Sequence, residues 1–206
     1  MSVNGYGPSK PPAIRLGEVI EASTTELVAE SYELHESPAF GSLVRVGDPG
    51  AETYGLVYAS STASLDPGRR PVARGRDLER EDEIYQNHPQ IVRLLRTEFR
   101  ALIVGYRDRD VIRQRIAPFP VRIHSFVWAC TPAEVIQFTQ RFDYLTLLIG
   151  AQTAVPADEL VAAAVRSADQ ARGGDDAYRI AAGKSLAVLL NGQFQRLNTI
   201  LRQVRP

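Results

Sequence analysis

Three histidines, His35, His88 and His124, and one cysteine, Cys130, are the residues of this 206-residue chain best suited to metal or nucleophilic chemistry. No two of the histidines stand at metal-ligand spacing, and a single cysteine excludes a multi-cysteine zinc site and an intrachain disulfide framework. Cys130 and His124 suggest a nucleophile with its base. Six strand residues at about 3.3 Å each would hold them ~20 Å apart, so Cys130 reads as a small buried hydrophobe. Gly183-Lys184-Ser185 matches the end of a phosphate-binding loop, but the pattern needs glycine where Tyr178 stands and a strand before the loop, whereas this segment reads as helix. Gly5-Tyr6-Gly7 lacks both the preceding strand and the third glycine of a dinucleotide fingerprint. The cluster Ser60 to Ser64 has no neighbouring histidine or glycine-rich elbow and reads as a strand end and turn. The expectation is a chain without catalytic residues, cofactor or metal.

Arginine is the other chemical signal. Of 24 basic side chains, only Lys10 and Lys184 are lysine. The zero net charge hides an asymmetry: residues 1–68 carry a formal −6, residues 69–122 carry +5, and the remainder carries +1. Planar guanidinium groups form paired contacts with carboxylates and phosphates, so the middle third suits an acidic partner, a nucleic acid, or the chain's own acidic first third. Arg69, Arg70, Arg74 and Arg76 lie in a charged stretch long for a connector, and Arg107, Arg109, Arg113 and Arg115 cluster between two strands. These eight are the candidate partner-binding residues. Phe126 and Trp128 would offer stacking platforms to single-stranded nucleic acid if they faced outward, but on a small barrel they read as core.

The elements that must position these groups change character near Cys130. Before it, short β-type runs alternate with Gly/Pro turns: Ile14 to Ala22, Glu26 to Leu34, Leu43 to Val46 and Tyr54 to Ala59. Val44 and Val46 share one face with Arg45 on the other, and Tyr54, Leu56 and Tyr58 share another. The segment from Asp66 to about Asp82 reads as a charged loop. A helix is expected after it, with Pro89 in its first turn and Ile91, Val92, Leu94 and Leu95 on its buried side. Phe99 to Tyr106 and Val121 to Ala129 return to strand and are expected to pair with the first four. After Cys130 comes an N-terminal capping box, Thr131-Pro132-Ala133-Glu134, then a stripe of Val135, Phe138, Phe142, Leu145 and Ile149 on one helix. Further helices open near Pro156 and Asp175 and end the chain. No apolar stretch approaches the ~20 residues of a membrane helix, so a cytoplasmic location is expected.

Ile14-Arg15-Leu16-Gly17-Glu18-Val19-Ile20, Gly41-Ser42-Leu43-Val44-Arg45-Val46-Gly47-Asp48 and Tyr54-Gly55-Leu56-Val57-Tyr58 together resemble the HAS-barrel, the small N-terminal β-barrel of HerA-type DNA translocases and rotary ATP synthase ring subunits. Leu102-Ile103-Val104-Gly105-Tyr106, with Pro118 and Pro120 beyond it, is similar to the second part of that barrel in the HerA-type branch. The resemblance implies assembly through barrel contacts, without the family's ATPase domain after Cys130. The expected fold is α+β: a flexible tail over residues 1–12, a barrel over 13–130 with an insertion at 66–98, and a helical region over 131–206. The expected function is that of a non-catalytic adaptor or assembly protein that meets another protein, or a second copy of itself through the barrel. The alternatives are a nucleic-acid-binding accessory using the arginine-rich middle, and an enzyme whose site forms only on folding.

Overall fold

The computed structural model describes residues 14–204. The tail expected over residues 1–12 lies outside them. Seven strands form one antiparallel sheet: β1 (Arg15–Ala22), β2 (Glu26–Ser31), β3 (Leu43–Val46), β4 (Thr53–Ser64), β5 (Leu95–Asp108), β6 (Val111–Arg113) and β7 (Phe126–Ala129). They run in the order β2-β1-β7-β3-β4-β5-β6, and a further pairing of β2 with β5 closes the sheet into a ring. The two late strands make the closure possible. β7 sits between β1 and β3, pairing Glu18 with Phe126 and Val46 with Val127, while β5 spans β4 and β2.

Strand alternation divides the side chains between two cores. Val19, Leu27, Ala29, Val44, Val46, Val57, Phe99, Ala101, Ile103 and Val127 fill the inner face, joined by Ala117 from the β6–β7 connection. The outward residues Leu43, Tyr54, Leu56, Tyr58 and Val104 form a second apolar cluster with the C-terminal helices. The helical region therefore packs on the outside of the ring.

Five helices make that cover: α2 (Pro132–Phe138), α3 (Tyr144–Ile149), α4 (Ala157–Gln170), α5 (Asp176–Leu189) and α6 (Phe194–Val204). α4 is the central one, with Leu160 to Val165 and Ala168 all buried. Its run of alanines lets the ring come close. A Cβ on Gly41, which sits at φ +80°, would lie 2.5 Å from the Ala163 Cβ, so only glycine fits this turn.

The expected single helix after Thr131 is two. The capping box forms as read, with Glu134 N–H donating to the Thr131 hydroxyl and Thr131 N–H donating to the Glu134 carboxylate at 2.8 Å. After Phe138 the helix stops, because Gln114 supplies an alternative partner. Its side-chain amide donates to the carbonyls of Phe138 (2.5 Å) and Arg141 (3.0 Å), and its oxygen accepts from Tyr144 N–H at 3.1 Å. The apolar stripe survives across the break, with Val135, Phe138 and Leu145 buried and Phe142 and Ile149 packed against them.

Between β4 and β5 the order differs from expectation. α1 (Asp82–Asn87) begins where the charged stretch ends and stops before Pro89, and Pro89–Leu94 is a 3₁₀ turn whose Val92 and Leu94 are exposed. Eclipsed side chains at every third residue give that turn no continuous buried stripe. Leu95 already belongs to β5, so the insertion ends at Leu94. Ser60 to Ser64, expected as a strand end and turn, is strand throughout and continues β4, because β5 runs far enough to pair with it.

Candidate functional site

The candidate arginines fall into three environments. Arg69 has only a 3.9 Å contact with Asp66, three residues away and itself exposed. Arg70, Arg74 and Arg76 are exposed and make no hydrogen bond, ion pair or ring contact among the described residues. Arg107, by contrast, is turned inward. Its Nε donates to Glu52 Oε2 and its Nη2 to the Tyr54 hydroxyl, both at 2.8 Å, with a longer contact to Gln137 of α2. Arg109 (φ +56°) and Arg113 lie exposed on the β5–β6 hairpin, and Arg115 donates to the Tyr106 hydroxyl beneath it. The structure thus separates the eight: the first four form one open cationic segment, while Arg107 is a structural anchor.

Three carboxylates of the acidic first third, Glu18, Glu26 and Glu52, are partnered by other groups. Glu26 joins Arg100 at 2.9 Å and accepts from the Tyr58 hydroxyl at 2.5 Å. Burial, reinforced by this bond to Glu26, pushes the Tyr58 hydroxyl up to about 12. Glu52 pairs with Arg107, and Glu18 receives Tyr32 and His124. On the helical side Arg45 pairs with Glu134 at 3.2 Å, tying β3 to α2.

Phe126 and Trp128 do not lie in the core. Both point outward from β7, since Val127 takes the inward position. Arg15 lies over the Phe126 ring at 4.6 Å and over Tyr32 at 5.0 Å, and Arg45 over Trp128 at 5.8 Å. Each ring is thus covered by a cation of the chain itself, and Glu18 borders the strip.

The chemistry-bearing residues remain dispersed. Cys130 packs by the helical core near Glu134, Arg45 and Glu52, and burial pushes its thiol far up, which favours the thiol over the nucleophilic thiolate. His124 is exposed and engaged with Glu18. His35, at φ +67°, bonds Tyr85 at 2.9 Å and donates its backbone N–H to Thr97, beside a pocket of about 450 Å³. Ser31 and Thr97 line the same pocket, and the Thr97 hydroxyl is engaged by Thr62, a bond that ties β4 to β5. Lys184 is exposed in mid-α5, and Gly183 faces Leu201 of α6. Among the described residues no three His, Cys, Asp or Glu side chains converge, and no helix is long and apolar enough to cross a membrane.

The outward aromatic strip differs from the core position expected of Phe126 and Trp128. Its signal was present: once Val127 is assigned inward, strict alternation sends Phe126 and Trp128 out. No family model matches the chain, and no curated protein matches it.

Proposed function

We propose that the ring is a small β-barrel of the HAS type and that the protein is a non-catalytic adaptor or assembly factor, docking an acidic surface of another protein through Arg69, Arg70, Arg74 and Arg76. The observation that carries this is the division of charge. If these arginines existed to neutralise the acidic first third, they would meet its carboxylates. Of those carboxylates, Glu26, Glu52 and Glu18 pair instead with Arg100, Arg107 and His124; only Arg69 reaches one, the exposed Asp66 at 3.9 Å, while Arg70, Arg74 and Arg76 stay exposed and meet none among the described residues. Desolvated guanidinium–carboxylate contacts across an interface give both register and on-rate, which suits an adaptor. The protonated Cys130 thiol and the dispersed histidines support a role without catalysis, and the lone cysteine suits a cytoplasmic location.

Nucleic acid is the second reading, and the exposed Phe126 favours it. Against it stand the self-stacked arginines and the neighbouring Glu18, which set a carboxylate where a phosphate backbone would pass. Fluorescence anisotropy with labelled single-stranded DNA, titrated between low and high salt, separates the two. The adaptor reading predicts no saturable binding, and affinity that falls steeply with salt would replace it with the nucleic-acid reading.

A further inference from the structure

β4 leaves the ring with one side open. β3 pairs with it only over Thr53 to Leu56, and the turn before β3 adds bonds to Val57. From Ser60 onward it has β5 on one side and no backbone partner on the other among the described residues. The bond from Leu65 N–H to the Leu94 carbonyl (2.9 Å) sets the phase of the ladder: Leu65, Ala63 and Ser61 face β5. By alternation, Ser60, Thr62 and Ser64 direct their N–H and C=O groups to the open side. The β2 side agrees, because Ile103 donates to the Thr25 carbonyl and the odd-numbered residues of β5 up to it therefore serve β2.

Natural sheets protect such an edge with charge, proline, a bulge or a covering loop. This one, Ser60-Ser61-Thr62-Ala63-Ser64, carries no charge and no proline, and Ser60 to Ala63 are exposed. Immediately beyond it comes the open cationic segment. Arg69 and Arg70 are five and six residues past Ser64, within about 20 Å of chain.

We propose that the free edge of β4 accepts an extended acidic segment of another protein as an added antiparallel strand, with its main chain on Ser60, Thr62 and Ser64 and its acidic residues on the arginines that follow. This rests on the docking role proposed above for those arginines, and names its geometry. Main-chain bonds supply affinity in this mode, and the flanking charges supply selectivity. Charge complementarity selects this occupant. A second copy meeting it edge to edge would set another uncharged Ser60–Ser64 run against this one, which offers the arginines no matching charge from the added strand.

The test uses the full chain and a synthetic peptide, Glu-Asp-Glu-Glu followed by alternating Thr and Val, whose acidic end reaches the arginines when it pairs antiparallel. Three variants separate the contributions. Thr62→Pro removes an edge N–H and leaves the backbone ladder to β5, Thr62→Val removes only the hydroxyl and its bond to Thr97, which Thr62→Pro also loses, and R69Q/R70Q/R74Q/R76Q removes the charges. Expected are saturable binding to the wild type, affinity within about twofold for Thr62→Val, and a loss of at least about tenfold for Thr62→Pro. In the bound state, amide exchange should slow at Ser60, Thr62 and Ser64, with Ser61 and Ala63 unaffected. Binding that is absent, or equal for Thr62→Pro, overturns strand addition even if the arginine variant weakens it. Affinity unchanged in the arginine variant overturns the acidic occupant and the docking role together, whatever Thr62→Pro does. A concentration-dependent dimer that Thr62→Pro abolishes would assign the edge to a second copy and likewise overturn the proposal.

Discussion

Arg107 joins three elements through one side chain: β5 carries it, Glu52 and Tyr54 on the β3–β4 side receive it, and Gln137 of α2 lies at its tip. Glu52 is 8% exposed, so removing the guanidinium leaves a carboxylate with little access to water. Arg107→Ala should therefore cost about 3–5 kcal/mol, seen as a fall of roughly 6–20 °C in melting temperature. Arg109→Gln and Arg113→Gln, at exposed sites, should each stay within about 0.5 kcal/mol of wild type by the same melt. Tyr58 gives the pH counterpart. Its hydroxyl titrates higher folded than unfolded, near the ordinary 10, so its contribution is complete below pH 10 and is lost as pH rises toward about 12. Urea unfolding across that window should show a fall in stability that Tyr58→Phe reduces; an identical slope in the variant would show that Tyr58 titrates freely.

At the scale of elements, α2 and α3 show what local signals can and cannot specify. The capping box is a short-range pattern, so Thr131-Pro132-Ala133-Glu134 was legible and formed as read. The break after Phe138 was not legible, since its cause is Gln114, more than twenty residues away in sequence. Ser60 to Ser64 was misread for the same reason: only the length of β5 makes those residues a strand. The pairing of both late strands with the first four was readable because a ring leaves no other way to cover their edges. Two outcomes follow. Thr131→Ala should cost about 1 kcal/mol, as the loss of a helix cap usually does. Gln114→Ala should cost more, about 2–3 kcal/mol, because it leaves the Phe138 and Arg141 carbonyls and the Tyr144 N–H without their partner. Denaturant midpoints of the two variants check the order, and a Gln114→Ala protein as stable as Thr131→Ala would refute this account of the break.

The whole molecule is a closed strand ring with helices packed on part of its outer face, and its open features gather on the other elements. Of the candidate residues, the sequence separated the two arginine groups by position but not by role. Whether an arginine is anchored or open depends on which carboxylate the fold brings beside it, as Glu52 is brought to Arg107 and none to Arg74. The measurement that bears most directly on the adaptor role compares wild type with R69Q/R70Q/R74Q/R76Q in crosslinked pull-downs from native extract, alongside thermal melts of both. The four arginines stand on the surface, so the variant should melt within about 1 kcal/mol of wild type. Its recovery of the wild type's crosslinked partner should fall by at least about tenfold, as the loss of several charge-assisted contacts implies. An unchanged partner set with an unchanged melt would contradict the docking role, and a collapsed melt would show that the arginines hold the fold.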